Sequence, residues 1–374
     1  MLFLIKFVKV ILMIRRSTEY LEPGMKVAKT VYSSVGQILI AVGMVLDTSL
    51  INRLIELGIG SVYVGDELGL IDEYPDVVSE PIRLLAIQNI RTVMDGLQRK
   101  HQLNVKAIRE TSDNLVNEIL RNRNILLSCC DIRSFDDYIF SHSINVCILS
   151  VMMAVTMGYN YLKLTQLGIG ALLSDIGMTR IDKYIFDKPK ELTQEEFSQV
   201  KMHTELGFEM LRTSEDIPLL SAHVAYQHHE RWNGMGYPRN LAGNDIHDYA
   251  RIVAVADVFD SLTADRPYRK AYSIDEALEY INTMSTYYFD PECVNALMAN
   301  VAKFPPGSIV ILSTGEIGQV VNVNQLAPTR PLIRLVTDCN KKVISGFHQV
   351  DLYKQPDLQI ECALTGSQNI SNLG

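Results

Sequence analysis

The sequence predicts a mainly α protein, a central helical bundle flanked by a small N-terminal α+β module and a small C-terminal β module. Three observations predict it. From Pro81 to about Met284 apolar residues recur at helical spacing behind repeated N-cap signals. Upstream, short β-rich runs alternate with Pro-Gly and Gly punctuation, and after Pro305 the pattern switches to a period of two, as half-buried strands require. A chain of 374 residues has room for two or three domains at roughly 100 to 200 residues each. The expected division is an apolar extension over 1–16, the α+β module and a linker over 17–79, a long helical connector over 80–130, the bundle over 131–300, and the β module and tail over 301–374.

The first residues, MLFLIKFVKVILMIRR, are apolar but carry Lys6 and Lys9 within a stretch of only 14 residues. A membrane span needs about 20 mostly apolar residues, so no transmembrane segment is expected here. A signal peptide would place its charges first and end in small residues, and neither holds. An upstream extension is the favoured reading. The next stretch, to Val64, contains one amphipathic helix through Leu50, Leu54 and Leu57. Asp66 to Ser79 is acidic and turn-forming, and reads as the linker.

After Pro81 the spacing predicts helix to about Leu127, with Ile82, Leu85, Ile90, Val93 and Leu97 on one face. So long a stretch with weak caps usually packs against a copy of itself, and a homodimer is expected. The bundle opens at SFDD, where Ser134 and Asp137 have capping-box spacing ahead of His142. A second capping box, Thr193 with Glu196, opens the helix that carries His203. Further helices are expected over 161–174, 218–229, 248–264 and 274–284. The C-terminal strands are SIVILS, GQVVNV and LIRLVT, with turns at Thr314-Gly315 and Asn340-Lys341.

A net charge of −8 argues against general nucleic-acid binding, which requires an excess of Lys and Arg. The six cysteines show no C-x-x-C spacing, and several lie in apolar runs, which suggests a reducing, cytoplasmic setting.

Among eight histidines, two stand side by side in HHERWNGMGYP, at His228 and His229. Adjacent residues on a helix point about 100° apart, so the pair cannot face one point within a helix. At a helix end it can flank a larger object such as a pair of metal ions. Taken alone, the pair is better read as a helix end with one ring buried and one wet, until partners are found elsewhere. Other hard or borderline ligands lie at His142, Asp175, His203 and Asp257, on several helices of one bundle, as in helix-bundle metal sites.

The text around these residues resembles the HD-GYP family of bacterial phosphohydrolases that degrade cyclic di-GMP. The matching segments are HSINV at His142, LGIGALLSDIG ending at Gly177, KPKELTQEEF from Lys188, HHERWNGMGYP, RIVAVADVFDSLT from Arg251, and DRPYR from Asp265. The resemblance covers about Ser134 to Met284 and implies an HD-type bundle. It implies that His142, Asp175 and Asp257 bind one divalent metal and His203, His228 and His229 a second, with Asp175 bridging and serving catalysis. Iron or manganese is favoured and zinc is possible. It also implies that Gly236, Tyr237, Pro238, Arg266 and Arg269 meet cyclic di-GMP, the arginines by bidentate contact with phosphate.

The departures bear on activity. Ser174 stands where the family has the His of its His-Asp dyad, and Met178 where it usually has Lys. Tyr138 replaces the Glu of members with a third metal, so no third ion is expected. Asn233 stands where Asp is common. His223 reads as a partly buried ordinary histidine, His101 and His247 as surface residues, and Lys188 and Lys201 as surface charges. The expected function is metal-dependent hydrolysis of cyclic di-GMP to linear pGpG or GMP, at reduced rate. The alternatives are a non-catalytic sensor of cyclic di-GMP or of a signalling protein partner, and a phosphohydrolase for another nucleotide.

Overall fold

The computed structural model describes residues 14–33, 37–65, 76–99, 102–127, 138–182, 184–187, 192–264, 271–324, 327–344 and 348–364. The N-terminal module comprises β1 (Ile14–Ser17), β2 (Lys26–Val27), β3 (Val31–Tyr32), β4 (Ile38–Ile40), α1 (Thr48–Glu56) and β5 (Ser61–Gly65). Strands β1, β5 and β2 form an antiparallel sheet in that order, and β3 pairs with β4. Asp47 caps α1 by accepting a hydrogen bond from the Leu50 amide, and Ile51 and Leu54 are buried against the sheet side of the module. The sheet takes in residues assigned to the extension, since Ile14 pairs with Val64 and Arg16 with Val62. The paired backbone gives 14–16 a structural role; residues 1–13 lie outside the described residues.

The stretch expected to be one long helix is two, α2 (Glu80–Gln98) and α3 (Val105–Arg121). The break has a local cause: Asn104 leaves helical geometry to accept the Ala107 amide as the N-cap of α3. The two helices pack on each other and on the bundle. Ile90, Leu115 and Val116 are fully buried in the same core as the rest of the helices. Ile90, Val93 and Leu97 of the face that suggested a second copy are thus covered within the chain, whereas Leu85 stays 48% exposed.

The bundle continues with α4 (Tyr138–Thr156), α5 (Tyr161–Leu172), a 3-10 turn (Ile176–Arg180), α6 (Tyr184–Asp187), α7 (Gln194–Lys201), α8 (His203–Arg212), α9 (Leu219–Gln227), α10 (Asp248–Thr263), α11 (Ile274–Thr283) and α12 (Pro291–Asn300). The capping box at Thr193 and Glu196 forms as expected, both bonds present. It opens α7 rather than the helix of His203, because the chain turns at Met202 and His203 is the first residue of α8. The capping box at Ser134 and Asp137 lies outside the described residues. Helix α4 is long and apolar enough to cross a membrane over Ile139–Thr156, but 72% of that window is buried in the bundle. It is the central core helix, packed on α5, α10 and α12.

The C-terminal module is an antiparallel sheet of β6 (Ile309–Leu312), β7 (Ile317–Asn324), β8 (Ala327–Leu335), β9 (Gln349–Asp351) and β10 (Ile360–Leu364), in the order β10-β6-β7-β8-β9. Its turns fall at Gly315 and Lys341, both with positive φ. Gly318 in β7 is required by space: a Cβ there would lie 2.3 Å from the Ile333 side chain.

Ile90 tests whether α2 is held within one chain. Ile90→Ala should lower unfolding free energy by about 2–5 kcal/mol in denaturant titration. The loss should be independent of protein concentration; a midpoint that moves with concentration would mean that a second chain covers this face.

Candidate metal centre

Five segments converge between α4, α8, α9 and α10. His142 comes from the first turns of α4, Asp175 from the turn after α5, and His203 from the start of α8. His228 and His229 follow the end of α9, and Asp257 lies within α10. The approach of Asp175 to His203 depends on Gly177, where a Cβ would lie 1.9 Å from the His203 carbonyl oxygen. No side chain fits there, so glycine lets the 3-10 turn seat directly on α8.

One ligand atom from each of Asp175, His203, His228 and His229 lies within 4.8 Å of all the others. The Asp175 carboxylate divides its oxygens between two groups. Its Oδ1 is 3.4 Å from His203 Nε2 and 3.6 Å from His228 Nε2, while its Oδ2 is 3.6 Å from His142 Nε2. Asp257 does the same, with Oδ1 2.9 Å from His142 Nε2 and Oδ2 3.9 Å from His229 Nδ1. Two carboxylates thus stand between one histidine on one side and three on the other.

The outer ring nitrogens are held as metal-ligating histidines require. His203 Nδ1 donates to the Val200 carbonyl at 2.6 Å, and His228 Nδ1 to those of Val224 and Ala225 at 3.1 and 3.2 Å. Each bond leaves Nε2 turned inward. The side-by-side pair is accommodated because His228 ends α9 while His229 turns out to the rim, 27% exposed, with its ring 4.8 Å from that of Tyr237.

Electrostatics favour ionised carboxylates among largely neutral imidazoles. Burial pushes the Asp175 carboxyl up, but the hydrogen bond from His228 and the charges of His203, His228 and His142 outweigh it and hold it well below the usual carboxylate range. Asp257 is lowered in the same way: burial opposes, and the hydrogen bond from His142 prevails. Burial lowers His203 despite Asp175, and burial with the neighbouring His228 charge takes His229 well below 6.5. His228 is raised, because its bond to Asp175 overcomes its burial. This donor set, with imidazole nitrogens turned inward beside anionic oxygens within a few ångströms, suits a borderline divalent ion.

Ser174 does not add a donor. Its buried hydroxyl donates to the Ala171 carbonyl at 3.0 Å, as a residue ending a helix does. Met178 lies in the 3-10 turn, and its amide donates to the Asp175 carbonyl.

The loop after His229 is shaped by Glu230, a buried carboxylate that sequence reasoning passed over. It accepts the Arg239 amide at 2.7 Å and the Leu241 amide at 3.0 Å, folding the chain back after Pro238. Gly236 lies against this residue, where a Cβ would be 2.4 Å from the Glu230 Cα. Tyr237 is thereby set beside His229, and its amide donates to the His229 carbonyl.

Asp260 and Asn145 were also missed, although their i, i+3 spacing from Asp257 and His142 was visible. Asp260 Oδ2 accepts from His142 Nδ1 at 2.7 Å, and its Oδ1 accepts from Asn145 Nδ2 at 2.9 Å. Lys201 is no mere surface charge, since its ammonium lies 4.7 Å from the Phe197 ring centre and 5.2 Å from that of Tyr237. His247 is partly buried and caps α10 by accepting the Tyr249 amide, which corrects its reading as a surface residue. Partly buried His223 lies between Phe208 and His247. Arg266, Arg269, Lys188, His101 and the side chain of Tyr138 lie outside the described residues.

Comparison with known proteins adds independent findings. Residues 116–293 match the family model of the HD domain, and residues 309–372 that of a KOW domain associated with HD domain. A cyclic di-GMP phosphodiesterase of Pseudomonas aeruginosa is 33% identical over 240 residues, which are 64% of this chain and 58% of that protein. A cyclic di-GMP phosphodiesterase response regulator of Xanthomonas campestris is 39% identical over 41% of this chain and 40% of its own length. A 3'3'-cGAMP-specific phosphodiesterase of Vibrio cholerae is 36% identical over 45% of this chain and 36% of its own. The chain thus spans well under two thirds of these relatives. Among solved structures, an HDG"Y"P protein from Bdellovibrio bacteriovorus aligns with 76% of this chain and 97% of its own at 18% identity, with a TM-score of 0.47.

The lowered histidines set a pH dependence. A histidine whose folded value lies below 6.5 binds its proton more readily unfolded, so it makes stability rise with pH in the window just below 6.5. Metal-free protein should therefore lose stability from about pH 6.5 downward in thermal or denaturant unfolding. His229→Ala should flatten that slope; an unchanged slope would remove His229 as its source.

Proposed function

We propose that this chain, whose residues 116–293 match the family model of the HD domain, is a metal-dependent phosphodiesterase that opens cyclic di-GMP to linear pGpG or GMP. The observation that carries the reading is the convergence of Asp175, His203, His228 and His229 on one point, with His142 and Asp257 alongside. Two divalent ions are proposed, iron or manganese by preference and zinc as the alternative. Bound there, they would supply an activated water and stabilise the attacking and leaving oxygens of a phosphodiester displacement.

The chain's own groups do the rest. Asp175 offers one oxygen to each side of the site and is the residue on which both halves depend. Gly236, Tyr237 and Pro238 are proposed to meet the ligand, the Tyr237 ring lying beside that of His229, and Arg266 and Arg269 are proposed to grip its phosphates. Cyclic di-GMP is preferred as substrate because relatives in two organisms carry that name. The similarity to a 3'3'-cGAMP-specific enzyme makes that dinucleotide the competing substrate. A cytoplasmic site of action accords with a nucleotide substrate and with the free thiols of Cys147 and Cys293.

Ser174 and Met178 favour a second reading, a sensor that binds the dinucleotide without cleaving it. Ser174 supplies no imidazole, and Met178 supplies no cation near the developing negative charge. Hydrolysis of cyclic di-GMP and of 3'3'-cGAMP by anaerobically purified protein, with metal analysis of the same sample, separates the readings. Turnover that disappears with chelator is expected; metal and ligand binding without turnover would establish the sensor.

The site with four protein donors should bind metal more tightly than the one with three. His229→Ala should remove most bound metal and His142→Ala less; equal losses would reverse the ordering. Ser174→His should raise metal occupancy toward two per chain and raise turnover. Met178→Lys added to it should raise turnover further, because a cation there acts mainly in the transition state. A parent already as fast as the double variant would show that serine serves this position.

A further inference from the structure

His142 differs from the other inward-facing histidines in how its outer nitrogen is held. His203 and His228 turn Nδ1 to backbone carbonyls, which their helices keep in place. His142 turns Nδ1 to a side chain, Asp260, at 2.7 Å. Its ring lies between two carboxylates of one helix, Asp257 at Nε2 and Asp260 at Nδ1. An ion can use Nε2 only if the ring's remaining proton stays on Nδ1.

Side chains rotate, so Asp260 itself must be anchored. Its second oxygen accepts from Asn145 Nδ2 at 2.9 Å, and Asn145 Oδ1 accepts from Arg83 Nη1 at 2.8 Å. Arg83 is 4% exposed, and its other terminal nitrogen stands 3.6 Å from Asp76. The row runs from the start of α2 through α4 to α10, with every bond charge-assisted at one end. A cavity of about 60 Å³ lies along it, lined by Asp76, Arg83, Asn145 and Asp260 among others.

We propose that Asp260, anchored by Asn145 and Arg83, is the positioning residue that presents His142 Nε2 to the first metal. Resting on the metal reading above, it makes α2 part of the metal site, though α2 contributes no ligand. The three-donor site then tolerates Ser174 because its single imidazole is held in one tautomer and one orientation. An outer partner of this kind is ordinarily worth 10–100-fold in metal affinity.

The test is Mn²⁺ titration of metal-depleted full-length protein, with ring-nitrogen NMR of Zn²⁺-loaded, ¹⁵N-histidine-labelled protein. Asp260→Asn keeps the shape but has one carbonyl oxygen for two donors, so affinity of the weaker Mn²⁺ site should fall about 10–100-fold. The tighter site should stay as it was. In the parent, His142 should show a zinc-shifted Nε2 and an exchange-protected Nδ1 proton, and Asp260→Asn should expose that proton. Asn145→Ala should act in the same direction by less and add little on the Asp260→Asn background, because both act through one row. It also serves as the probe if Asp260→Asn does not fold. Parent-like Mn²⁺ binding and an unchanged Nδ1 proton in the variants would overturn the inference. A parent that binds one ion without a zinc-shifted His142 would overturn it while leaving the Asp175–His203–His228–His229 reading in place. A parent that binds neither ion would overturn both.

Discussion

Two largely buried carboxylates, Asp175 and Asp257, govern the centre of this molecule. A charge taken out of water must be paired and hydrogen-bonded, or it neutralises. Among the described residues the compensation comes from imidazoles: His142, His203 and His228 lie within 3.6 Å of a carboxylate oxygen, and His229 at 3.9 Å. Imidazole can act as donor in the metal-free protein and as ligand once a cation enters. The same groups can thus pair with one another or hold a divalent cation.

That pairing sets demands on packing far beyond the ligands. Asp175 reaches His203 only because Gly177 lets a 3-10 turn rest on the backbone of α8. His203 and His228 face inward because helix carbonyls accept their Nδ1 protons. Glu230 and Gly236 fold the following loop so that Tyr237 lies against His229. These contacts span α5 to α10, so the site is a property of the bundle and not of a local motif.

Helices α2 and α3 illustrate how a periodic pattern states burial without stating the partner. Most of their apolar positions are buried, Leu85 excepted, and the face opposite is supplied by α4, α5 and each other. Periodicity cannot distinguish these from a second copy. The distinction arises at Asn104, whose side chain caps a new helix where a continuing one was expected. The same limit hid the break at Met202, since α7 and α8 read as one periodic run.

The class of fold, three of the five strands of the C-terminal sheet and most helix limits were legible in the sequence, and the resemblance to the HD-GYP family singled out the six residues that meet at the centre. The elements follow from period and capping chemistry, and the site residues from that resemblance alone, since four histidines and two carboxylates spread along the chain form no local motif. The sequence did not reveal Asp260, Asn145, Glu230 or the position of Lys201, because a carboxylate or amide on a helix carries no mark of whether it faces solvent or a buried ring. Only the tertiary structure decided that. The crossing of α4 with α10 sets His142 between Asp257 and Asp260, and the contact of Arg83 with Asn145 ties α2 to that crossing. Sequence separations of 118 and 62 residues lie across these two contacts. No local pattern encodes them; they arise where α4 packs on both α2 and α10, which burial of their apolar faces brings together.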